Sequence, residues 1–378
     1  MTPERERELL ARLETAERPG PLGAHSLRNA ASAYTDPARF QRELERLFRG
    51  WPQLVGLSAE CAKPGDFLSA NLGGVPAVVL RQADGSLRGF VNACRHRGAT
   101  LLEGCGHTGR AVACPYHGWT YDLDGRLRVR PGAEPGFDDL DRASLSLHPL
   151  AVAEGHGLVF ARAAAGPAIS PDAVLHGAER ELAAHDLAGW VPIETRTFEV
   201  PINWKLVIDT FTEPYHIPWL HKDSIAPHYY FDRWLFDAFG PHSRFVGLRK
   251  SLAGELEKPL AERRLLPHAT TQYLLLPNAI LVHQIDHFEL WRLQPLAVDR
   301  TRVSTSVIAP REPASERERS YWRKNLDALL AVTNAEDFPM MARIQANLAS
   351  GALPEVIYGR MEPALVHFHE SLSKALAD

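Results

Sequence analysis

Hydrophobic and polar positions divide this chain into segments of different character. From Pro3 to Glu17 and from Asp36 to Arg49, apolar residues recur at spacings of three and four, which predicts two N-terminal helices. Between about Trp51 and Arg162, turn residues separate short β-rich runs, namely QLVGLS, FLSANL, PAVVLR, GFVNA, LRVR and GLVFAR. This region is therefore predicted to form a small all-β module.

The remainder of the chain mixes helical and strand-like patterns. Residues 163–171 (AAAGPAISP) are typical of a linker, and helical spacing resumes from Pro171 to Asp186. Helical segments are also predicted from about Ser315 to the end. Four strand-like runs lie between these regions, at Gln272–Leu276, Ala279–Gln284, Glu289–Leu296 and Arg302–Ile308. We therefore expect an α+β fold whose second part contains a predominantly antiparallel sheet.

Composition narrows the class of protein. With 378 residues the chain is long enough for two ordinary domains, and its net charge of -4 gives no reason to expect nucleic acid or an anionic membrane as partner. The N-terminus MTPERERELL lacks the apolar core of a secretory signal, and no run of about 18 apolar residues occurs. Only four cysteines occur in 378 residues, and some of them lie close to histidines, which suggests a reducing compartment, so we expect a cytoplasmic protein.

Two Cys/His pairs lie inside the β module, in the stretch CRHRGATLLEGCGHTGRAVACPYHGW. Cys94 precedes His96 by two residues, Cys114 precedes His117 by three, and seventeen residues separate the two pairs. Thiolates and neutral imidazoles bind metals, and the interleaved glycines suit loops that fold tightly around an inorganic centre. Cys61 and Cys105 fall outside this pattern and are interpreted as ordinary thiols.

Two kinds of metal centre fit these four residues. A structural zinc site usually groups like ligands, as C-x2-C and H-x3-5-H, whereas each pair here contains one Cys and one His. The mixed order favours a Rieske [2Fe–2S] cluster, in which the cysteines bind one iron and the histidines the other. The signature C-x-H, seventeen residues, C-P-Y-H-G-W resembles that of Rieske proteins, specifically the aromatic-ring-hydroxylating oxygenases.

A second candidate site lies in NWKLVIDTFTEPYHIPWLH, residues 203–221. His216 and His221 are five apart, about 140° on a regular helix, so their convergence on one metal requires a wide turn or a break. Pro214 and Pro218 can provide it, because each lacks a backbone N–H. The segment resembles the N-W-K and D/E-x2-H-x4-H motif of Rieske oxygenase catalytic domains, in which the two histidines bind a mononuclear iron(II).

A third iron ligand is expected far downstream. Iron(II) sites that activate O2 usually present two histidines and one carboxylate. The segment AEDFPMMARIQANLASG resembles a family helix that places this ligand on Asp337, with Glu336 as the alternative because neighbouring helical residues point about 100° apart.

The resemblance also implies domains, partners and an electron path. It divides the chain into N-terminal helices (1–48) packed on the catalytic domain, a Rieske domain (49–165) and a helix-grip catalytic domain (166–378). Family members assemble as head-to-tail trimers, so electrons would pass from His117 of one subunit through Glu213 of the next to His216. Asp209, four residues before Glu213, is a candidate acceptor that would hold an imidazole tautomer. No dinucleotide or flavin fingerprint is present, so a separate reductase or ferredoxin would supply electrons from NAD(P)H.

The sequence is compatible with two substrate classes and with two kinds of function. One substrate class is an aromatic or other apolar compound that is hydroxylated or demethylated; the other is a quaternary amine related to choline, betaine or carnitine. A non-catalytic electron-transfer or zinc-binding protein is the alternative to an oxygenase. Nine residues are candidates for the substrate pocket: Tyr229, Tyr230, Phe231, Trp234, Phe236, Tyr273, His283, Phe288 and Trp291.

Overall fold

The computed structural model describes residues 3–15, 20, 22–132 and 136–377, and these contain the following strands and helices. The strands are β1 (Leu27–Ala30), β2 (Gln53–Leu57), β3 (Asp66–Leu72), β4 (Val75–Arg81), β5 (Leu87–Val91), β6 (Cys105–His107), β7 (Ala111–Ala113), β8 (Thr120–Asp122), β9 (Leu127–Val129), β10 (Pro149–Gly155), β11 (Leu158–Arg162), β12 (Val191–Val200), β13 (Tyr229–Phe239), β14 (His242–Arg249), β15 (Ala269–Leu275), β16 (Ala279–His283), β17 (Phe288–Ala297), β18 (Arg300–Ala309) and β19 (Glu355–Tyr358). The α-helices are α1 (Pro3–Thr15), α2 (Ser32–Thr35), α3 (Pro37–Glu43), α4 (Pro171–Leu175), α5 (Glu179–Ala183), α6 (Trp204–Phe211), α7 (Ile217–Leu220), α8 (Leu252–Leu256), α9 (Glu316–Val332), α10 (Phe338–Ala349) and α11 (Pro363–Leu376).

One compact unit consists of residues 44–174 and 187–189 and is mainly β. Its seven-stranded sheet has the order β2-β11-β10-β5-β4-β3-β6, and a three-stranded sheet has the order β7-β8-β9. All six strand-like runs predicted for the β module form strands here, and the alternate apolar residues of several strands build the core. Strands β6, β7, β8 and β10 were not predicted. The first three of these are only three residues long, which is too short for an apolar pattern to show.

The other unit consists of residues 1–43, 175–186 and 190–378. Its seven strands form an antiparallel sheet in the order β12-β18-β17-β16-β15-β14-β13, and β1 pairs with β19 in a separate ribbon. The four predicted strands correspond to β15 to β18, whereas β12, β13 and β14 were missed. Their charged residues interrupt the apolar pattern, as in ETR within β12 and RWLFD within β13.

Several predicted helices are interrupted in the structure. The helix expected from Pro171 to Asp186 breaks into α4 and α5, because His176 and Gly177 adopt positive φ angles of 52° and 104° that an α-helix cannot contain. The helix expected from Asp36 to Arg49 continues from α3 into a π-helix over Leu44–Arg49. The helical region after Ser315 is interrupted by β19, and the last predicted residues of α1, Ala16 and Glu17, lie outside the described residues. Among the described helices, none is both long and apolar enough to cross a membrane.

Candidate functional site

The two Cys/His pairs occupy facing loops in the β unit. The Cys94 and Cys114 side chains are buried and in contact with each other, and burial raises the pKa of the Cys94 thiol above its ordinary value. The two imidazoles also face each other, with 3.1 Å between Nδ1 of His96 and Nδ1 of His117. The structure therefore brings all four predicted residues together, thiol beside thiol and imidazole beside imidazole.

The backbone of these loops suits a bound inorganic cluster. Gly98 and Gly118 have φ angles of 77° and 68°, and their N–H groups donate to the carbonyls of Cys94 and Cys114 at 2.8 and 3.0 Å. The buried Tyr121 hydroxyl lies 3.3 Å from the sulfur of Cys94. Separate pairing of sulfurs and ring nitrogens fits a two-iron cluster that takes two thiolates on one iron and two imidazoles on the other.

The N-W-K segment at the start of α6 forms a buried anchor. The Asn203 side chain caps the helix by accepting from the N–H of Lys205 at 3.0 Å. Trp204 Nε1 donates to Glu43 at 2.9 Å, and Lys205 Nζ contacts both oxygens of the same carboxylate at 2.8 and 2.6 Å. Burial lowers the pKa of Lys205 to about 8, against the opposing effect of Glu43. The motif thus fixes the position of α6 and of the loop that follows it.

His216, His221 and Asp337 converge after this loop. The chain leaves α6 at Phe211, and the two histidines flank the single turn of α7 instead of lying on one continuous helix. Asp337 ends a π-helical segment, residues 333–337, between α9 and α10. One ligand atom from each of the three lies within 4.8 Å of the others, and among the described residues this is the only such group of three or more potential metal ligands. The donor set of two imidazoles and one carboxylate fits iron(II).

Each of the two histidines faces Asp337 through Nε2 and contacts a second carboxylate through Nδ1. Nε2 of His221 lies 3.1 Å from Oδ1 of Asp337, and Nε2 of His216 lies 3.8 Å from the same atom. On the opposite sides, Nδ1 of His216 contacts Glu213 and Nδ1 of His221 contacts Glu336. A carboxylate at Nδ1 favours the tautomer with its proton there, which leaves the Nε2 lone pair free for a metal. The sequence offered Glu336 as a ligand alternative; the structure places it behind His221.

Asp209 lies in a buried cluster with Tyr34, Tyr358 and His369. It accepts from the Tyr34 hydroxyl at 2.5 Å and lies 2.8 Å from Nε2 of His369, which also contacts Tyr358 at 3.1 Å. The imidazole that Asp209 contacts is that of His369, and a part for Asp209 in catalysis stays a prediction. Burial raises the pKa of Tyr34 well above its ordinary value, and the charge of Asp209 adds to this shift.

A cavity of about 480 Å³ opens beside the three converging residues. Of the nine residues proposed for the substrate pocket, Tyr229 and Tyr230 line this cavity. Trp234, His283, Tyr273, Phe288 and Trp291 are buried instead in the core, and Phe231 and Phe236 do not line the cavity. The rings that do line it also include Phe211, Phe245 and Tyr321, which were not predicted from the sequence. Strand alternation explains why Tyr273, His283 and Phe288 do not line the cavity, because their neighbours Gln272, Val282 and Glu289 point to the face of the sheet that does.

A second cavity, also of about 480 Å³, reaches Glu213 and His216 as well. Its lining includes Trp219, which is 74% exposed, and Glu362. Burial raises the pKa of Glu362 to about 6, and the charges of Glu213 and Asp209 add to this effect. Glu213 can therefore be approached from both cavities.

Comparisons with known proteins agree with this arrangement. Residues 52–149 match the family model of the Rieske [2Fe-2S] domain, and residues 187–378 match that of the ring hydroxylating alpha subunit (catalytic domain). The match to the Rieske family decides between the two metal centres in favour of iron–sulfur. The match to the catalytic domain in the same chain favours an oxygenase subunit over a stand-alone electron carrier.

Relatives act on two kinds of compound. The carnitine monooxygenase oxygenase subunit of Acinetobacter pittii is 33% identical over 184 residues, which cover 48% of this chain and 49% of that protein, so the match spans about half of that relative's length. The glycine betaine monooxygenase oxygenase subunit of Chromohalobacter salexigens is 27% identical over 376 residues, covering 89% of this chain and 82% of the relative. The biphenyl 2,3-dioxygenase alpha subunit of Rhodococcus jostii is 32% identical over 191 residues, covering 48% and 41%.

Solved structures share the whole fold. A quaternary ammonium Rieske monooxygenase in complex with L-carnitine aligns with a TM-score of 0.78 at 22% identity, covering 92% of this chain and 95% of that one. Naphthalene 1,2-dioxygenase with bound indole aligns with a TM-score of 0.74 at 19% identity, covering 96% and 94%. With a Rieske [2Fe–2S] domain followed by this catalytic domain, the chain belongs to the ring-hydroxylating oxygenase alpha-subunit family.

Proposed function

We propose that this chain is the terminal oxygenase component of a multicomponent Rieske oxygenase. Its substrate would be a small organic compound that is hydroxylated or demethylated with O2 in the cavity of about 480 Å³. The observation that carries the proposal is the convergence of His216, His221 and Asp337 at the wall of that cavity. Two imidazoles and a carboxylate leave other positions of an iron(II) open, as O2 chemistry requires.

The chain's own residues would prepare this site. Bound iron(II) would supply the capacity to bind O2 and to change oxidation state by one electron at a time. Glu213 and Glu336 hold the Nδ1 protons of His216 and His221, so both rings keep their Nε2 atoms directed toward Asp337. The apolar and aromatic part of the lining restricts water and holds the substrate beside these ligand atoms.

Electrons would reach the catalytic site across a subunit boundary. Cys94, His96, Cys114 and His117 would hold the Rieske cluster, and a head-to-tail homotrimer would bring His117 of the partner subunit to Glu213. Two features support Glu213 as the link: its carboxylate contacts Nδ1 of His216, and it also lines the second cavity. A solved quaternary ammonium monooxygenase of similar fold was described as transferring electrons between subunits. A separate reductase or ferredoxin would deliver electrons from NAD(P)H in the cytoplasm.

Two substrate classes remain candidates, each with an observation in its favour. Five aromatic rings and the carboxylates of Asp286 and Glu289 line the cavity, which favours a quaternary amine of the choline, betaine or carnitine type through cation–π and charge interactions. The same rings would accept an aromatic compound, the substrate class of the dioxygenase relatives.

Reconstitution with a reductase and NADH tests the proposal. The purified protein is expected to be brown, with about three irons per chain, two in the cluster and one at the catalytic site. Supplied with isotopically labelled O2 and a panel of both substrate classes, it should incorporate label into a product detected by mass spectrometry. Product is scored instead of NADH loss, because oxygen reduction without substrate oxidation also consumes NADH. A colourless protein with stoichiometric zinc would refute the proposal.

A further inference from the structure

Arg249 is the one lysine or arginine among the described residues that line the cavity beside His216, His221 and Asp337. It ends β14, and its guanidinium lies 4.8 Å from the ring centre of Tyr229. Nη2 donates to Thr270 at 3.3 Å and to Gln284 Oε1 at 2.7 Å. Thr270 of β15 and Gln284, which follows β16, thus hold Nη2, and the tyrosine ring packs against the guanidinium.

The rest of this guanidinium lacks partners within the described part of the chain. Nε is buried and has no hydrogen bond, Nη1 donates to no described residue, and no described carboxylate forms an ion pair with Arg249. Arg244, at the other end of the same strand, is a useful contrast, because its Nη atoms contact the carboxylates of Glu181 and Asp237. The unpaired nitrogens of Arg249 belong to a cation whose charge is not compensated by a neighbouring acid.

The amide of Gln284 separates Arg249 from the carboxylate of Glu289. Gln284 accepts from Arg249 through Oε1 and donates through Nε2 to Glu289 Oε1 at 3.1 Å. The amide thereby stands between the cation and the buried Glu289, and both charged residues line the same cavity. A partly buried guanidinium without an anion is unfavourable, and a ligand anion relieves this cost.

We propose that Arg249 binds a carboxylate group of the substrate. The proposal rests on the function proposed above and narrows its substrate class to compounds that carry a carboxylate, such as a betaine-type zwitterion or an aromatic acid. A guanidinium donates strong hydrogen bonds to carboxylate oxygens, and Nη1 is the nitrogen left to donate to a ligand, because Nε is enclosed and Nη2 is already bonded to Thr270 and Gln284. Glu289 at the same cavity favours the zwitterion, because its charge complements an ammonium group.

Binding of matched ligand pairs to the iron-loaded protein tests this assignment by isothermal titration calorimetry. Glycine betaine is compared with choline, and benzoate with benzyl alcohol, so each pair differs mainly in the carboxylate. The wild type should prefer the carboxylate member of at least one pair, and which pair it is identifies the zwitterionic or the aromatic class. R249Q should weaken binding of that member about ten- to a hundredfold, which is the loss expected for hydrogen bonds to a charged group.

Control variants separate recognition from folding. R249K keeps the positive charge but not the planar guanidinium. Its affinity for the carboxylate ligand should therefore lie between those of the wild type and R249Q. Arg233 stacks on Tyr230 at 5.4 Å without lining the cavity, so R233Q should leave both affinities unchanged. Equal iron content and visible spectra confirm that each variant is folded.

Two results would overturn the assignment. The first is that the wild type shows no preference for the carboxylate member of either pair. The second is that R249Q retains the preference of the wild type. Either result leaves colour, iron content and oxygen incorporation untouched, so it is distinguishable from failure of the proposed oxygenase function.

Discussion

Nε2 of His221 lies 3.1 Å from Oδ1 of Asp337, although the two residues are 116 positions apart. The adjacent residue, Glu336, contacts the opposite nitrogen of the same ring. Two consecutive acids therefore meet one imidazole from both sides, and of these two acids Asp337 is the one whose carboxylate groups with both His216 and His221. This difference between neighbours can be tested directly.

Asp337→Asn should remove the catalytic iron and abolish product formation, because an amide is a poor substitute for an anionic ligand. Iron content should fall from about three to about two per chain while the visible cluster spectrum is retained. Glu336→Gln should instead weaken binding of the catalytic iron about ten- to a hundredfold, the usual effect of losing a hydrogen-bond partner of a ligand. Asp327→Asn, at an exposed acid on α9, is the control. Loss of activity in Glu336→Gln alone would reverse the assignment.

Cys114→Ser should produce a protein without the visible absorption of the iron–sulfur cluster, because Cys114 and Cys94 are the paired thiols of the facing loops. Cys61→Ser is a matched control, since Cys61 is also fully buried in the β unit but contacts Arg81. Absorption spectra and iron analysis distinguish the two variants. A colourless Cys61→Ser protein that remained folded would contradict the assignment of the cluster ligands.

Lys205→Met should lower the free energy of unfolding by about 3 kcal/mol, because it leaves the buried carboxylate of Glu43 without its closest cation. The double variant Glu43→Gln with Lys205→Met should recover part of this loss, since neither charge then remains buried alone. Arg302→Met removes an exposed ion pair with Glu199 and should cost less than about 1 kcal/mol. Chemical denaturation measures all three. Equal losses for Lys205→Met and Arg302→Met would contradict the anchor interpretation.

Acid should destabilise the protein partly through His283. This side chain is buried beside the ring of His185, and burial lowers its pKa to about 4 from 6.5. Between these pH values the unfolded chain binds the extra proton, so the contribution to stability is complete above about pH 6.5 and decreases as the pH falls toward 4.

His283→Gln removes this titration. The free energy of unfolding of the variant, relative to wild type, should therefore rise by about 1 to 2 kcal/mol between pH 7 and pH 5. Comparing the two proteins at each pH cancels the contribution of all other groups. His25→Gln, at an exposed histidine, should show a smaller pH dependence. A constant difference between wild type and His283→Gln would show that His283 titrates normally in the folded state.

The spacing of residues along the chain was sufficient to predict much of the fold and part of the site. Each Cys/His pair spans four residues or fewer, so its members enter one loop, and the turn residues between short apolar runs indicated six strands of the β unit. His216 and His221 flank one helical turn, as the prolines in that segment suggested. Strands β12 to β14 escaped prediction because their charged residues interrupt the apolar pattern.

By itself, the sequence determined the residue types available for two metal centres, the α+β class and the order of its β and mixed parts. Only the tertiary structure decided that Asp337 joins the two histidines, that Glu336 stands behind His221, that Asp209 contacts His369 and that Arg249 lines the cavity. The physical reason is that covalent spacing restricts residues a few positions apart. Residues separated by more than a hundred positions meet only through the register of the sheet and the packing of helices against it.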